Sequence, residues 1–502
     1  MSESVRVPPR SVVGILAACG PGMIVAGSIV GSGELIATTK TGAEVGFTLL
    51  WLILIGCVIK VFVQVELGRR AVITNETTLV SLDKVPGPRF GRRGNWLVWY
   101  WLVMWVAGIG QLGGIAGGVG QALAMAVPVT SPGEIGNVRV RSRLAEHVEA
   151  ASSAAVVDGT DVETPNPLPD PAAHSHDPLI WAFATALVTS ALLAVGRFGM
   201  IERVSTVFVL AFTALTVLNL VLLQSDPAYG LRASELWGGL WPRLPPADRV
   251  VNPMGTALAT LGIIGVGAAE LVVYPYWCLE KGYAKDVGPP DPSNASAWIA
   301  RYQGWMRVMR WDAWGSMVLY TLSTAAFYLL GAATLWRLGL NPGKDELIPT
   351  LSVIYLPVFG RWAEGVFLVG AVAVLYSTFF VANASHARTF SDALRVIGVI
   401  GDGEADRRRW VWRLSVLFPW LCLLIFVAFP NPAELVLISG VFQGVMLPML
   451  ALAAVYFRYA HTPAKLKPSK PWDVCLWMSS IVMLMIGVWI VTNRVGQHFH
   501  GG

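Results

Sequence analysis

Two six-residue stretches carry the residue types that can do chemistry: Val30-Gly31-Ser32-Gly33-Glu34-Leu35 and Val266-Gly267-Ala268-Ala269-Glu270-Leu271. They read VGSGEL and VGAAEL and begin 236 positions apart. Each sets a carboxylate within three residues of a glycine in the middle of a long apolar run. A carboxylate at the centre of a bilayer costs about 2.5–3.5 kcal/mol, so it persists only if it is paired, protonated or used. Glycines there loosen a helix, and backbone groups freed at that depth must line a cavity or bind something. Two carboxylates, the Ser32 hydroxyl and free carbonyls form a hard oxygen set that can hold a cation or carry a proton. Gly31, Ser32, Gly33, Glu34, Gly267, Ala268, Ala269 and Glu270 are therefore candidate binding positions, with Glu34 and Glu270 as candidate metal ligands. The plain alternative is a pair of close-packing notches with two capped, structural glutamates.

A third ionisable residue, Lys60, lies near the middle of the next apolar run. It can serve as counter-charge to Glu34 or Glu270, stand in for a coupling cation, or snorkel to an interface. In the third run Gly110, Gly114 and Gly118 form a stripe suited to helix packing, with Gln121 and Gln111, a further candidate coupling residue, beside it. Ser377, Thr378, Asn383, Ser385, Ser439 and Gln443 are polar positions of later runs that can face the same cavity.

These groups need a scaffold, and composition names its class. Of 502 residues 54% are apolar and 14% charged, against about 25% charged in soluble chains. That excludes a soluble globular protein and a disordered one and leaves an all-α polytopic membrane protein in contact with lipid. The net charge of +5 does not imply nucleic acid. Apolar stretches near spanning length predict about eleven transmembrane helices, at roughly 12–40, 46–73, 95–127, 178–195, 204–223, 253–280, 312–336, 362–388, 411–429, 434–457 and 473–492. The two motifs then fall in the first and sixth helices. Each opens a set of five, which predicts an inverted 5+5 repeat with broken first and sixth helices.

On this reading residues 1–11 precede the first repeat (12–223), 224–252 connect it to the second (253–457), and 458–502 hold the eleventh helix and tail. With the N-terminus cytoplasmic, inside segments hold 25 Lys and Arg and outside segments 11, and Lys60 completes the 37. That asymmetry favours a cell-membrane protein with N-terminus in and C-terminus out. Tryptophans such as Trp96, Trp99, Trp101, Trp105, Trp410 and Trp412 suit interfacial belts. No cleavable secretory signal is expected. Cys19, Cys57, Cys278, Cys422 and Cys475 lie far apart in apolar stretches, without metal or redox spacing. The polar insert 128–177 carries eight acidic and three basic residues and is expected to be partly disordered or a small lid. His147, His174 and His176 lie in it; His174-Ser175-His176-Asp177 could hold a soft metal, but two histidines at i, i+2 in a polar loop are read as solvated.

The first hundred residues resemble the Nramp family, the natural resistance-associated macrophage protein type of proton-coupled divalent-metal importer. Gly20-Pro21-Gly22, the break, and Thr41-Gly42-Ala43-Glu44-Val45-Gly46-Phe47-Thr48-Leu49-Leu50-Trp51 follow that family's pattern without a gap. Gln64, Arg69, Gly196-Arg197, Glu202, Ser439 and Leu447-Pro448 extend the likeness over most of the chain. The resemblance implies the fold of the sodium-coupled leucine transporter and alternating access. Its metal motif is altered, however. The family's Asp-Pro-Gly-Asn becomes Gly31-Ser32-Gly33-Glu34, its Met-Pro-His falls on Ala269-Glu270-Leu271, and its acidic positions in the third helix fall near Gln111 and Gly114. Loss of the soft thioether shifts preference towards hard cations such as Mg²⁺ or Mn²⁺, although Mg²⁺-transporting relatives keep an acidic residue at the position of Gly31.

Three readings follow. The first is a gradient-driven symporter of a hard divalent cation, a monomer whose inorganic ion is substrate and which needs no cofactor. The second is a transporter of a small organic or zwitterionic solute on the same scaffold, and the third a non-transporting sensor. An enzyme is not expected, since zincin, nucleophile-elbow and P-loop motifs are all missing, and ATP is not expected to drive the chain.

Overall fold

A computed structural model of the chain describes residues 6–90, 94–157, 175–195, 198–245, 253–290, 292–343 and 346–500. Among these residues eleven helices are long and apolar enough to cross a membrane. They are α1 (Pro21–Val45), α2 (Leu50–Thr74), α3 (Trp96–Ala126), α4 (Asp177–Val195), α5 (Gly199–Ser225), α6 (Met254–Lys281), α7 (Ala295–Trp336), α8 (Leu347–Val396), α9 (Glu404–Ala428), α10 (Pro432–His461) and α11 (Lys470–Thr492). Their order and number are those expected from the apolar runs. Several boundaries move, and α8 begins fifteen residues before its expected start. A separate short helix, Val12–Ala18, precedes α1, and α7 begins some seventeen residues before the expected start, which sets Asp312 well inside it.

The ends follow local chemistry. The Asn95 side chain accepts the Leu97 amide at the start of α3, and Asn431 caps α10 ahead of Pro432. Gly46 (φ 58°) closes α1, Asn75 (φ 54°) closes α2 and Gly282 (φ 98°) closes α6 in left-handed backbone.

The helices that carry the two motifs are the most enclosed. The central window of α1 is 94% buried and that of α6 83%, against 33% for α4 and for α5. The first part of α1 packs on α5, α7 and α8, the second part of α6 on α2, and the first part of α6 on α10. α3 lies between α8 and α10, with α4 and α9 outside it. Trp96, Trp99 and Trp412 are exposed near helix ends, as a belt requires, but Trp101 is buried. In the glycine stripe of α3, Gly114 is closed by the Pro432 carbonyl and Gly118 faces Leu375, whereas Gly110 meets nothing within 4 Å. The stripe is thus a packing surface only in its later part.

In its described part the insert is helical. Ser131–Val157 is a 27-residue helix. Arg141 pairs with Glu364 and donates to the Met125 carbonyl, and a His147 ring nitrogen bonds the Leu338 carbonyl at 3.0 Å, so this helix is fastened over the α7–α8 connection. His176 lies at the described edge of the loop, while His174 falls outside the described residues. Asp177 accepts the Val129 and Thr130 amides and the Thr130 hydroxyl, which ties the start of α4 to the end of α3.

Candidate functional site

The two motif helices are interrupted in different ways. In α6 the helix stops after Ile263 and resumes at Ala268, with Gly265 at φ 57° between the halves. In α1 the chain stays helical but widens into a nine-residue π-helix, Val30–Thr38, that contains the whole first motif. Wide turns of this kind expose backbone groups and occur at functional sites. Threonines hold it open: Thr38 donates to the Gly33 carbonyl (2.8 Å) and Thr39 to that of Glu34 (3.4 Å), each five residues back.

The widening turns Glu34 towards the gap in α6. Its Oε1 accepts the Gly265 amide at 3.4 Å and the Thr324 hydroxyl of α7 at 2.8 Å. Oε2 is buried without a hydrogen-bond partner among the described residues. Thr324 also reaches the Tyr320 carbonyl at 2.6 Å, so its one hydroxyl hydrogen is contested by two acceptors. With that hydrogen directed at the Tyr320 carbonyl, a protonated Glu34 can donate to the Thr324 oxygen instead. The geometry thus accommodates Glu34 as a carboxylate or as a protonated carboxyl.

Lys60 reaches the same gap from α2. It is fully buried, and its ammonium donates to the carbonyls of Leu261 (2.6 Å) and Ile264 (2.8 Å) at the end of the first half of α6. Snorkelling is thereby excluded. So is a direct ion pair as its main contact: Glu34 and Glu270 lie within electrostatic reach of Lys60, but the groups it bonds are the broken helix's own carbonyls.

Glu270 sits in the first turn of the second half of α6, half-buried, with Ser28 and Lys60 as neighbours. Its carboxylate folds back over Gly267, where an added Cβ would lie 2.5 Å from Oε2 and 2.7 Å from the Gln443 Oε1. A carboxylate there complements the helix dipole, so a capping role and a ligand role share one position. Gly31 is likewise forced. The Thr378 hydroxyl accepts the Gly31 amide and donates to the Gly27 carbonyl, both at 3.0 Å, in the space a side chain at 31 would need.

Gln111 joins the two interruptions. Its Nε2 donates to the Ser32 hydroxyl (2.8 Å), while its Oε1 accepts Ser439 (3.0 Å) and Gln443 Nε2 (2.7 Å). Gln443 in turn accepts the Ala269 amide at 3.1 Å. A neutral chain thus runs from the π-helix to the second half of α6. Of the other polar positions, Asn383 and Ser385 bond their own helix and Ser377 has no partner among the described residues. Gln64 is buried, Arg69 pairs with Glu66, and Gly196-Arg197 falls outside the described residues.

Thr324, Gly265 and Asp312 were not singled out by sequence. Asp312 accepts the Gly20 and Gly22 amides at 2.8 and 2.7 Å and the Tyr274 hydroxyl at 3.0 Å, and so anchors the start of α1 to α7. Beside it Glu202 pairs with Lys281 at 2.6 Å. At the far end of α1, Lys40 donates to Asn341 and to the Pro342 carbonyl. Both ends of α1 are pinned, with the polar residues enclosed between them. No group of three or more His, Cys, Asp and Glu converges among the described residues.

A family model described as natural resistance-associated macrophage protein-like matches residues 173–493. No curated protein sequence matches the chain. Among solved structures, a manganese transporter of Eremococcus coleocola, in complex with an aromatic bis-isothiourea substituted compound, aligns at 13% identity and TM-score 0.59, over 99% of this chain and 91% of its own. MhsT in complex with L-phenylalanine aligns at 14% and 0.51 over 97% and 99%. Mhp1, a nucleobase-cation-symport-1 family transporter, aligns at 12% and 0.51 over 98% and 96%. At such identities the likeness concerns the fold, which is the leucine-transporter type of two inverted five-helix repeats with an eleventh helix added.

Proposed function

Because the chain belongs to the natural resistance-associated macrophage protein-like family, we propose that it is a secondary transporter of a metal ion, moving a hard divalent cation such as Mg²⁺ or Mn²⁺ by alternating access. The ion is placed between Gly31–Glu34 and Gly267–Glu270, with Glu34 and Glu270 as its charged ligands.

The observation that carries this reading is the meeting of carboxylates from two interrupted helices at one gap, where Glu34 keeps a buried, unbonded oxygen. Two carboxylates with hydroxyls and carbonyls suit an ion that retains part of its water, as Mg²⁺ does; no thioether or imidazole is there to favour a soft ion. Entry of the ion displaces the proton of Glu34, a role supported by its shared hydrogen with Thr324. Gln111 acts here by positioning, as the neutral link that moves Ser32 and Ala269 together. The manganese transporter that shares the fold supports the substrate class. A monomer suffices, since one chain encloses α1 and α6. The Lys/Arg asymmetry supports a cell-membrane orientation with the N-terminus inside. Uptake of Mn²⁺ or Mg²⁺ by proteoliposomes tests the reading; no uptake and no binding of either ion would defeat it.

One observation favours a second reading, transport of a small zwitterionic solute. Lys60 already supplies a positive charge at the gap, which leaves room for a solute of low net charge. Stabilisation by organic solutes alone in a thermal-shift screen would select it.

A further inference from the structure

Lys60 is unexplained by a cation site, because a fixed positive charge beside such a site opposes binding. Its geometry points to another task. In an unbroken helix the Leu261 carbonyl would accept the amide of residue 265, and the Ile264 carbonyl that of residue 268. The Gly265 amide is turned to Glu34 instead, and Ala268 opens a new helix whose N-cap, Gly267, is extended. Two carbonyls at the negative end of a helix dipole are thus left without backbone donors in the interior of the protein. Such groups must be satisfied internally. A helix end of this kind, lined by oxygens and facing two carboxylates, has the chemistry of a site for a small monovalent cation. Here α2 delivers the charge covalently, at 2.6 and 2.8 Å from the two carbonyls.

We propose that Lys60 is a tethered monovalent cation: it permanently fills the place, at the broken end of α6, that a bound sodium or potassium ion would otherwise take, and it frees the transport cycle from any such ion. Lys60 is in this sense a positioning residue, acting through the Leu261 and Ile264 carbonyls on the gap that Glu34 and Glu270 share. The inference rests on the transport reading but not on which substrate is carried.

Removing the side chain beyond Cβ should leave a small oxygen-lined space that an added cation can fill. Purified wild type, Lys60→Ala and Lys60→Met are compared by thermal unfolding in sodium, potassium or methylammonium chloride against choline chloride, whose cation is too large. The wild type should melt at the same temperature in all four. Lys60→Ala should melt lower in choline and regain about 3 °C or more at about 100 mM of one small cation, as mass action on a millimolar site requires. Lys60→Met keeps the volume without the charge and should gain nothing. A purely structural cap would show the loss without the ion-specific recovery. The proposal is overturned if wild-type stability or uptake requires sodium or potassium. It is also overturned if Lys60→Ala is rescued by none of the ions, or if it folds in no salt, since the supplied ion should complete the site. Absence of metal uptake by the wild type would defeat the metal-transport reading while leaving these melting comparisons intact, so the two failures can be told apart.

Discussion

Glu34 and Lys60 divide between them one backbone hydrogen bond that α6 does not make. Glu34 accepts the Gly265 amide at 3.4 Å, and Lys60 donates at 2.6 Å to the Leu261 carbonyl that this amide would meet in a continuous helix. The gap is therefore held open by polar side chains from α1 and α2. Restoring the helix would strand both groups in the protein interior, which is expensive for buried polar groups without partners.

Glu34→Gln keeps the shape of the side chain and removes its charge and its proton. Melting should change by no more than a few degrees, while affinity for Mn²⁺ falls about tenfold or more, equivalent to about 1.4 kcal/mol. Calorimetry in buffers of different ionisation enthalpy should show proton release on metal binding by the wild type and none by the variant. Equal release by both would remove Glu34 from proton coupling.

Gly31→Ala should destabilise the chain by about 1–3 kcal/mol through overpacking. The new Cβ would press on the Thr378 hydroxyl and lie 2.9 Å from the Val374 carbonyl. Thr378→Ala in the same chain should recover part of the loss and not all of it, because the carbonyl remains. Thermal unfolding of the two singles and the double measures this, and an unaffected Gly31→Ala would show that the space is not closed.

Gln111→Leu and Gln443→Leu break the same chain of hydrogen bonds. Their effects on stability should be non-additive, with a coupling of about 0.5–3 kcal/mol. A double-mutant cycle that sums to the two singles would mean that Gln111 does not link the interruptions.

Asp312→Asn leaves one acceptor oxygen where two amides and a tyrosine hydroxyl now find a carboxylate. Loss of one or more of these buried bonds should lower stability by about 1–3 kcal/mol, with a steeper loss of uptake, since the start of α1 is what Asp312 anchors. Chemical denaturation and uptake by the same preparation check the two parts.

What the sequence reveals and conceals follows from how rare each signal is. Glu34, Glu270 and Lys60 are legible because a charge inside an apolar run is conspicuous. The gap in α6 is legible from its glycines. The form of the interruption in α1 is not, since Gly31-Ser32-Gly33 is as compatible with an unwound loop as with the π-helix that occurs. Thr324 is hidden because a threonine in a helix ordinarily bonds its own turn, as it also does here. Asp312 is hidden by the early start of α7, which moves it from an apparent end to the interior. The insert helix lacks apolar periodicity, and the contacts that hold it, Arg141 to Glu364 and His147 to the Leu338 carbonyl, join residues about two hundred positions apart.

Anomalous diffraction from crystals grown with Mn²⁺ tests the central claim most directly. The account predicts a peak at the gap in α6, with carboxylate oxygens of both Glu34 and Glu270 within about 2.0–2.6 Å of it, the range of hard cation–oxygen bonds. A map with no peak there, or with organic density between the two carboxylates, would contradict it.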